Sequence, residues 1–208
     1  SENIATKNFE QFKENFYFAM KLLFFLLVPF TFGIIFFRTE IITFLFKRGL
    51  FTSKSVNIVS FPLMFYSIGL IGYGGVSVLT RAFYAFGDTS TPVKIGIISI
   101  SVNFVLDIIL MKFLSHGGIA LSTSSVGLIN FLFLYILFTK KHISLNNKKV
   151  ISYFSKSLIS SLIMAFVIML FKVSFHYLSL PIFLTTGIIS AVIIYFLTWK
   201  IIEKVKIW

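Results

Sequence analysis

Residues Phe16–Phe37 read FYFAMKLLFFLLVPFTFGIIFF. From Leu22 to Phe37 the run holds no charged residue and does not alternate apolar with polar positions. Transmembrane β-strands alternate over segments of about ten residues. An unbroken apolar run of this length instead suits a helix, which crosses ~30 Å of hydrocarbon in ~20 residues. Five further stretches qualify: about Val56–Leu79, with Pro62, Gly69, Gly72, Gly74 and Gly75, then Pro92–Met111, Gly118–Phe138, Val150–Phe171 and Pro181–Ile201. The sequence predicts an all-α integral membrane protein of six transmembrane helices.

Composition agrees. Of 208 residues 57% are hydrophobic and 12% charged, against about 25% charged in a soluble domain. A disordered chain and a soluble domain are both excluded. With no Cys, there is no disulfide framework, thiolate metal site or Cys nucleophile. The net charge of +12 lies between apolar runs, which points to anionic membrane lipid and not to nucleic acid. Ser1 is followed by neither a basic start nor a small-residue cleavage site, so the chain reads as the interior of a longer polypeptide.

Flanking charges set the expected orientation. Arg38, Lys47, Arg48, Lys54, Lys112 and Lys172 flank one side, and the remaining thirteen Lys and Arg flank the other. The positive-inside rule then puts both ends of the segment in the cytoplasm. Residues 1–15 read as a cytoplasmic amphipathic lead-in, 16–138 as four helices, 139–149 as a basic cytoplasmic loop and 150–208 as two more helices. In the loop Arg38–Ser55, the apolar residues from Ile41 to Phe46 predict a short amphipathic helix in the outer interface, ended by Gly49. Lys140, Lys141, Lys148 and Lys149 make the 139–149 loop the main topology determinant, in contact with lipid headgroups.

One acidic residue, Asp107, lies well inside a span, where a charge needs a reason. Ser99, Asn103 and Asp107 are spaced by four and form one polar stripe on an apolar helix. After the turn Ser115-His116-Gly117-Gly118, counting residues puts Thr123 at the height of Asp107. A carboxylate, an amide oxygen and a hydroxyl at one level are hard oxygen donors, suited to sodium or a bound proton and not to zinc or copper. The rival reading is interhelical hydrogen bonding. No Ser/His/Asp set, phosphate loop or HExxH motif is present, so no enzymatic activity is expected. The glycines of the second span fit close helix packing. His116 and His176 sit at turns and carry no expected role.

Leu79–Val93 reads LTRAFYAFGDTSTPV, and the chain continues through KIGIISISVNFVLDIIL to SHGGIALSTSS. This resembles the lipid II flippases (MurJ, or MviN) of the MOP exporter superfamily. The motif residues are Arg81, Tyr84, Asp88, Thr91 and Pro92, followed by an Asn-bearing helix and a His-Gly-Gly turn. FLFKRGLFT resembles a further family stretch. The likeness runs from Phe16 to Phe138 and is mostly hydropathic beyond. Thr91 is the expected N-cap of the third span, with Pro92 at its first position.

The resemblance implies a MOP-type flippase fold of fourteen helices, of which these six match helices nine to fourteen: four of the second lobe and two additional ones. Helices one to eight would be partners of this segment, and lipid II, an undecaprenyl-pyrophosphate-linked precursor, the substrate. It implies the bacterial inner (cytoplasmic) membrane, transport by alternating access and a sodium site. The family's ligands correspond to Asn103, Asp107 and Thr123, with a carbonyl at Ile119 and a further acid outside this chain. No other cofactor is implied. The alternatives are another MOP transporter (a polysaccharide-lipid flippase or multidrug antiporter) and a non-transporting membrane scaffold.

Overall fold

Inside hydrocarbon no water satisfies a backbone amide, so each crossing segment must close its own hydrogen bonds. The computed structural model of the chain, which describes the backbone of residues 2–204 and the side chains of 9–204, follows that rule. All regular structure among the described residues is helical: α1 (Glu2–Phe46), α2 (Ser53–Ala85), α3 (Ser90–Leu114), α4 (His116–Lys141), α5 (Asn147–Ser174) and α6 (Leu180–Lys204). Each helix contains a stretch long and apolar enough to cross a membrane. The expected fold class is the observed one. The side chains of the lead-in before Phe9, and Lys206 in the C-tail, lie outside the described residues.

Several boundaries differ from the sequence reading. The lead-in is no separate element, because α1 is continuous from Glu2. Phe12 and Phe16 pack on the Phe138 ring, at 6.0 Å in each case. The expected interfacial helix after Arg38 is instead the end of α1. No breaker lies between Phe37 and Phe46, and the charges that seemed to end the span find partners. Glu40 pairs with Lys172 of α5 at 2.6 Å, and Lys172 Nζ also donates to the Phe36 carbonyl at 2.9 Å. Gly49 does mark the turn, with φ of +56°. The basic 139–149 loop shrinks to 142–146, because α4 runs on to Lys141 and α5 starts at Asn147. Asn146 caps α5, accepting from the Lys149 N–H, and the Lys149 ammonium stands 4.4 Å above the Tyr17 ring.

The helices pack as a chain of neighbours. α4 lies between α2 and α3, α1 lies between α2 and α5, and α6 closes on α5 and α1. One apolar core joins α1, α2 and α4 around Met20, Leu79, Phe83 and Phe138. A second joins α1, α5 and α6 around Phe37, Ile168, Tyr195 and Trp199. Missing side chains bring α2 and α4 together: a Cβ at Gly72 would lie 2.5–2.7 Å from the backbone at Gly127 and Leu128. Both ends of the described chain come to one end of the bundle, where Lys21 of α1 and Glu203 of α6 pair at 2.5 Å.

Pro29 inside α1 shows how the second core is pinned. Proline has no N–H, which frees the carbonyl four residues earlier. That carbonyl belongs to Phe25, and the Tyr195 hydroxyl of α6 donates to it at 2.8 Å. The neighbouring Phe24 carbonyl accepts from Ser157 of α5 at 2.6 Å. A defect in one helix thus becomes the joint that holds two others.

Candidate functional site

Two polar groups stand out in this apolar bundle. The first is at the end that carries the termini. Asp88, in the turn between α2 and α3, accepts from the Thr91 N–H at 3.0 Å and the Thr91 hydroxyl at 2.8 Å. Lys141 Nζ, at the end of α4, lies 2.6 Å from the same carboxylate, and His142 Nε2 lies 3.1 Å from it. The Lys141 ammonium first, then Thr91 and His142, hold the Asp88 carboxyl well below the usual carboxylate range. Thr91 is therefore not the cap of α3. Asp88 plays that part, because its carboxylate reaches the free N–H of the first turn. Pro92 sits at the third helical position and not the first. Of the other motif residues, Arg81 and Tyr84 are exposed on α2, outside this knot.

His142 went unnoticed in the sequence. Its ring lies 5.0–5.5 Å from the rings of Phe83, Phe86 and Phe138. Phe138 is local, four residues earlier, but Phe83 and Phe86 lie more than fifty positions away in the chain, and nothing local signals them.

The second group lies between α3 and α4. Asn103 Nδ2 donates to Asp107 Oδ2 at 3.1 Å, as the spacing of four predicts. The donation turns the Asn103 amide so that its Oδ1 faces away, buried and without a partner. The second helix contributes Ser122, not Thr123. The Ser122 hydroxyl contacts Asp107 Oδ1 and also lies 2.9 Å from the Ile119 carbonyl. Thr123 has the expected height but faces differently, since one residue turns a helix by about 100°. Its carbonyl accepts from the Tyr73 hydroxyl of α2 at 3.2 Å.

A cleft of about 470 Å³ opens beside Asp107, lined also by Tyr73, Ser99, Asn103 and Asn130. Asn130 Oδ1 is buried without a partner too. Asn130 and Ser122 were missed, although Ser122, Val126 and Asn130 repeat the spacing of four that marks Ser99, Asn103 and Asp107. Among the described residues no Lys, Arg or His lines the cleft. Among the described residues no three His, Cys, Asp or Glu side chains gather as a metal cluster. The donors around Asp107 are oxygens, which fit sodium or a proton better than a transition metal.

The sequence matches the family described as lipid II flippase MurJ over residues 1–189. The chain belongs to that family. A lipid II flippase MurJ of Thermosipho africanus is 39% identical over 153 residues, which cover 73% of this chain and 30% of that protein. A probable lipid II flippase MurJ of Rickettsia prowazekii is 36% identical over 124 residues, 60% of this chain and 24% of that one. The solved structure of lipid II flippase MurJ in an inward closed conformation superposes with a TM-score of 0.81 at 32% identity. It covers 95% of this chain and 40% of that one. The chain thus spans about a quarter to a third of these curated MurJ relatives.

Proposed function

We propose that this chain is the helix nine to fourteen portion of a lipid II flippase, working with helices one to eight of the same protein. The whole would move undecaprenyl-pyrophosphate-linked peptidoglycan precursor across the bacterial inner membrane by alternating access. The observation that carries this reading is the family match over residues 1–189, supported by the superposition on the MurJ structure. We take the end that carries the termini as cytoplasmic, and the charge bias supports this.

Cation coupling is part of the proposal. Asp107 supplies the charge, Asn103 Oδ1 an uncommitted acceptor, and Ser122 a hydroxyl that orients the carboxylate and links it to the Ile119 carbonyl. The Thr123 carbonyl is taken by the Tyr73 hydroxyl. An oxygen set with one net charge favours a monovalent hard cation, sodium for preference. At this depth an unpaired carboxylate is expensive, so its occupancy is expected to favour one arrangement of α3 against α4.

The test is complementation. The full-length gene should restore growth and cell shape to cells depleted of their own flippase, and the Asp107→Asn version should not, at equal membrane abundance. Full activity of the variant would remove the cation from the proposal and leave the flippase reading standing. Failure of the wild-type gene to complement would count against the flippase reading itself.

A further inference from the structure

The polar lining does not stop at Asp107. Counted from the turn at Ser115 at about 1.5 Å per residue, Asp107 lies about 12 Å down α3, Asn103 about 18 Å and Ser99 about 24 Å, with Asn130 about 22 Å down α4. All four line the one cleft. On the turn side of Asp107 the hairpin is shut. Gly117, Gly118 and Ala120 are buried, a Cβ on Gly118 would collide with the Leu110 carbonyl, and one on Gly117 would collide with the Phe61 ring. Among the described residues the cleft therefore extends from Asp107 away from that turn, toward Ser99 and Asn130.

Two amide oxygens stand along that stretch. Asn103 Oδ1 and Asn130 Oδ1 are both buried without a hydrogen-bond partner. Burying an acceptor unpaired is costly and calls for something to occupy it. With a carboxylate at one end and no Lys, Arg or His among the described residues along the walls, the field in the cleft draws positive charge inward. We propose that Asn130, with Asn103 and Ser99, forms a second cation position, at which a partly hydrated monovalent hard cation pauses on its way to Asp107. The proposal rests on the reading of Asp107 as a cation holder. It adds Asn130 as a ligand.

The experiment is exchange of radioactive sodium by the purified full-length protein, compared with Asn130→Leu, Asn130→Asp and Asp107→Asn. Asn130→Leu keeps the branched shape and removes the oxygen. It should slow uptake and release severalfold while leaving the equilibrium affinity near the wild-type value. Asn130→Asp keeps the shape, adds charge and should speed uptake, which keeps the test open if the leucine variant misfolds. If both Asn130 variants exchange like wild type while Asp107→Asn binds none, the second position is overturned and the Asp107 reading survives. Wild-type protein that holds no sodium, or Asp107→Asn that holds it normally, overturns the underlying reading and this inference with it.

Discussion

Two of the places where the bundle buries polar atoms at membrane depth differ in whether those atoms are satisfied. Around Pro29, the Phe24 and Phe25 carbonyls receive Ser157 and Tyr195, whose own hydroxyls stand 3.0 Å apart. Ser160 and Ser161 nearby are buried without partners, but a serine hydroxyl can rotate onto a carbonyl of its own helix. Between α3 and α4, the Asn103 and Asn130 oxygens only accept and have no such recourse. The first group is a joint completed by the protein. The second faces a cleft and has capacity to spare. An intramembrane polar residue is thus better read by what remains unpaired than by its mere presence.

The sharpest way to test that contrast is Asp107→Asn. On the cation-coupled reading proposed above, we expect the full-length protein to fold, to lose sodium-dependent thermal stabilisation and to lose most of its transport. Thermal unfolding in detergent with and without sodium, beside a transport assay, checks it.

At the joint the opposite holds. Tyr195→Phe leaves the Phe25 carbonyl unpaired and should cost about 1–3 kcal/mol whatever the salt. The Pro29→Ala background restores the helix N–H that the carbonyl lacks, so there the same substitution should cost much less. Equal costs in both backgrounds, measured by chemical unfolding of the full-length protein, would break the assignment.

A smaller effect is expected at Asn130. In sodium-free buffer Asn130→Leu should raise stability by about 1 kcal/mol, because it removes an unpaired buried acceptor. A loss of similar size would place Asn130 with the joint and not with the cleft.

The Asp88 knot lies outside the hydrocarbon and titrates. Its carboxyl is held below the ordinary value of about 3.9. The unfolded chain therefore binds the proton more readily than the folded one. The contribution of Asp88 is full above about pH 5 and is lost as pH falls through the depressed folded value. Asp88→Asn should remove that acid-side slope from a plot of melting temperature against pH. Thr91→Ala, which removes one half-buried partner, should cost about 1 kcal/mol or less.

Much of this was open to reading along the chain. Apolar run length gave the six spans, and the spacing of four put Asn103 and Asp107 together, because both depend on backbone geometry within one helix. The ends of α1 could not be read the same way. Arg38 and Glu40 resembled a boundary until Lys172, from α5, met Glu40. His142 looked like any loop residue until Phe83 and Phe86 closed around it.

What the sequence by itself determined is the class of structure, the family and the existence of an intramembrane carboxylate with an amide beside it. Hydrocarbon forces each segment to satisfy its own backbone, so crossing helices can be read one at a time. What only the tertiary structure decided is rotation and pairing: Ser122 at Asp107 in place of Thr123, Tyr195 on the carbonyl that Pro29 frees, and Asn130 turned into the same cleft as Asn103. Those depend on how far and at what angle neighbouring helices approach. Here that approach is set by contacts such as Gly72 against the backbone of α4, between residues far apart in the chain.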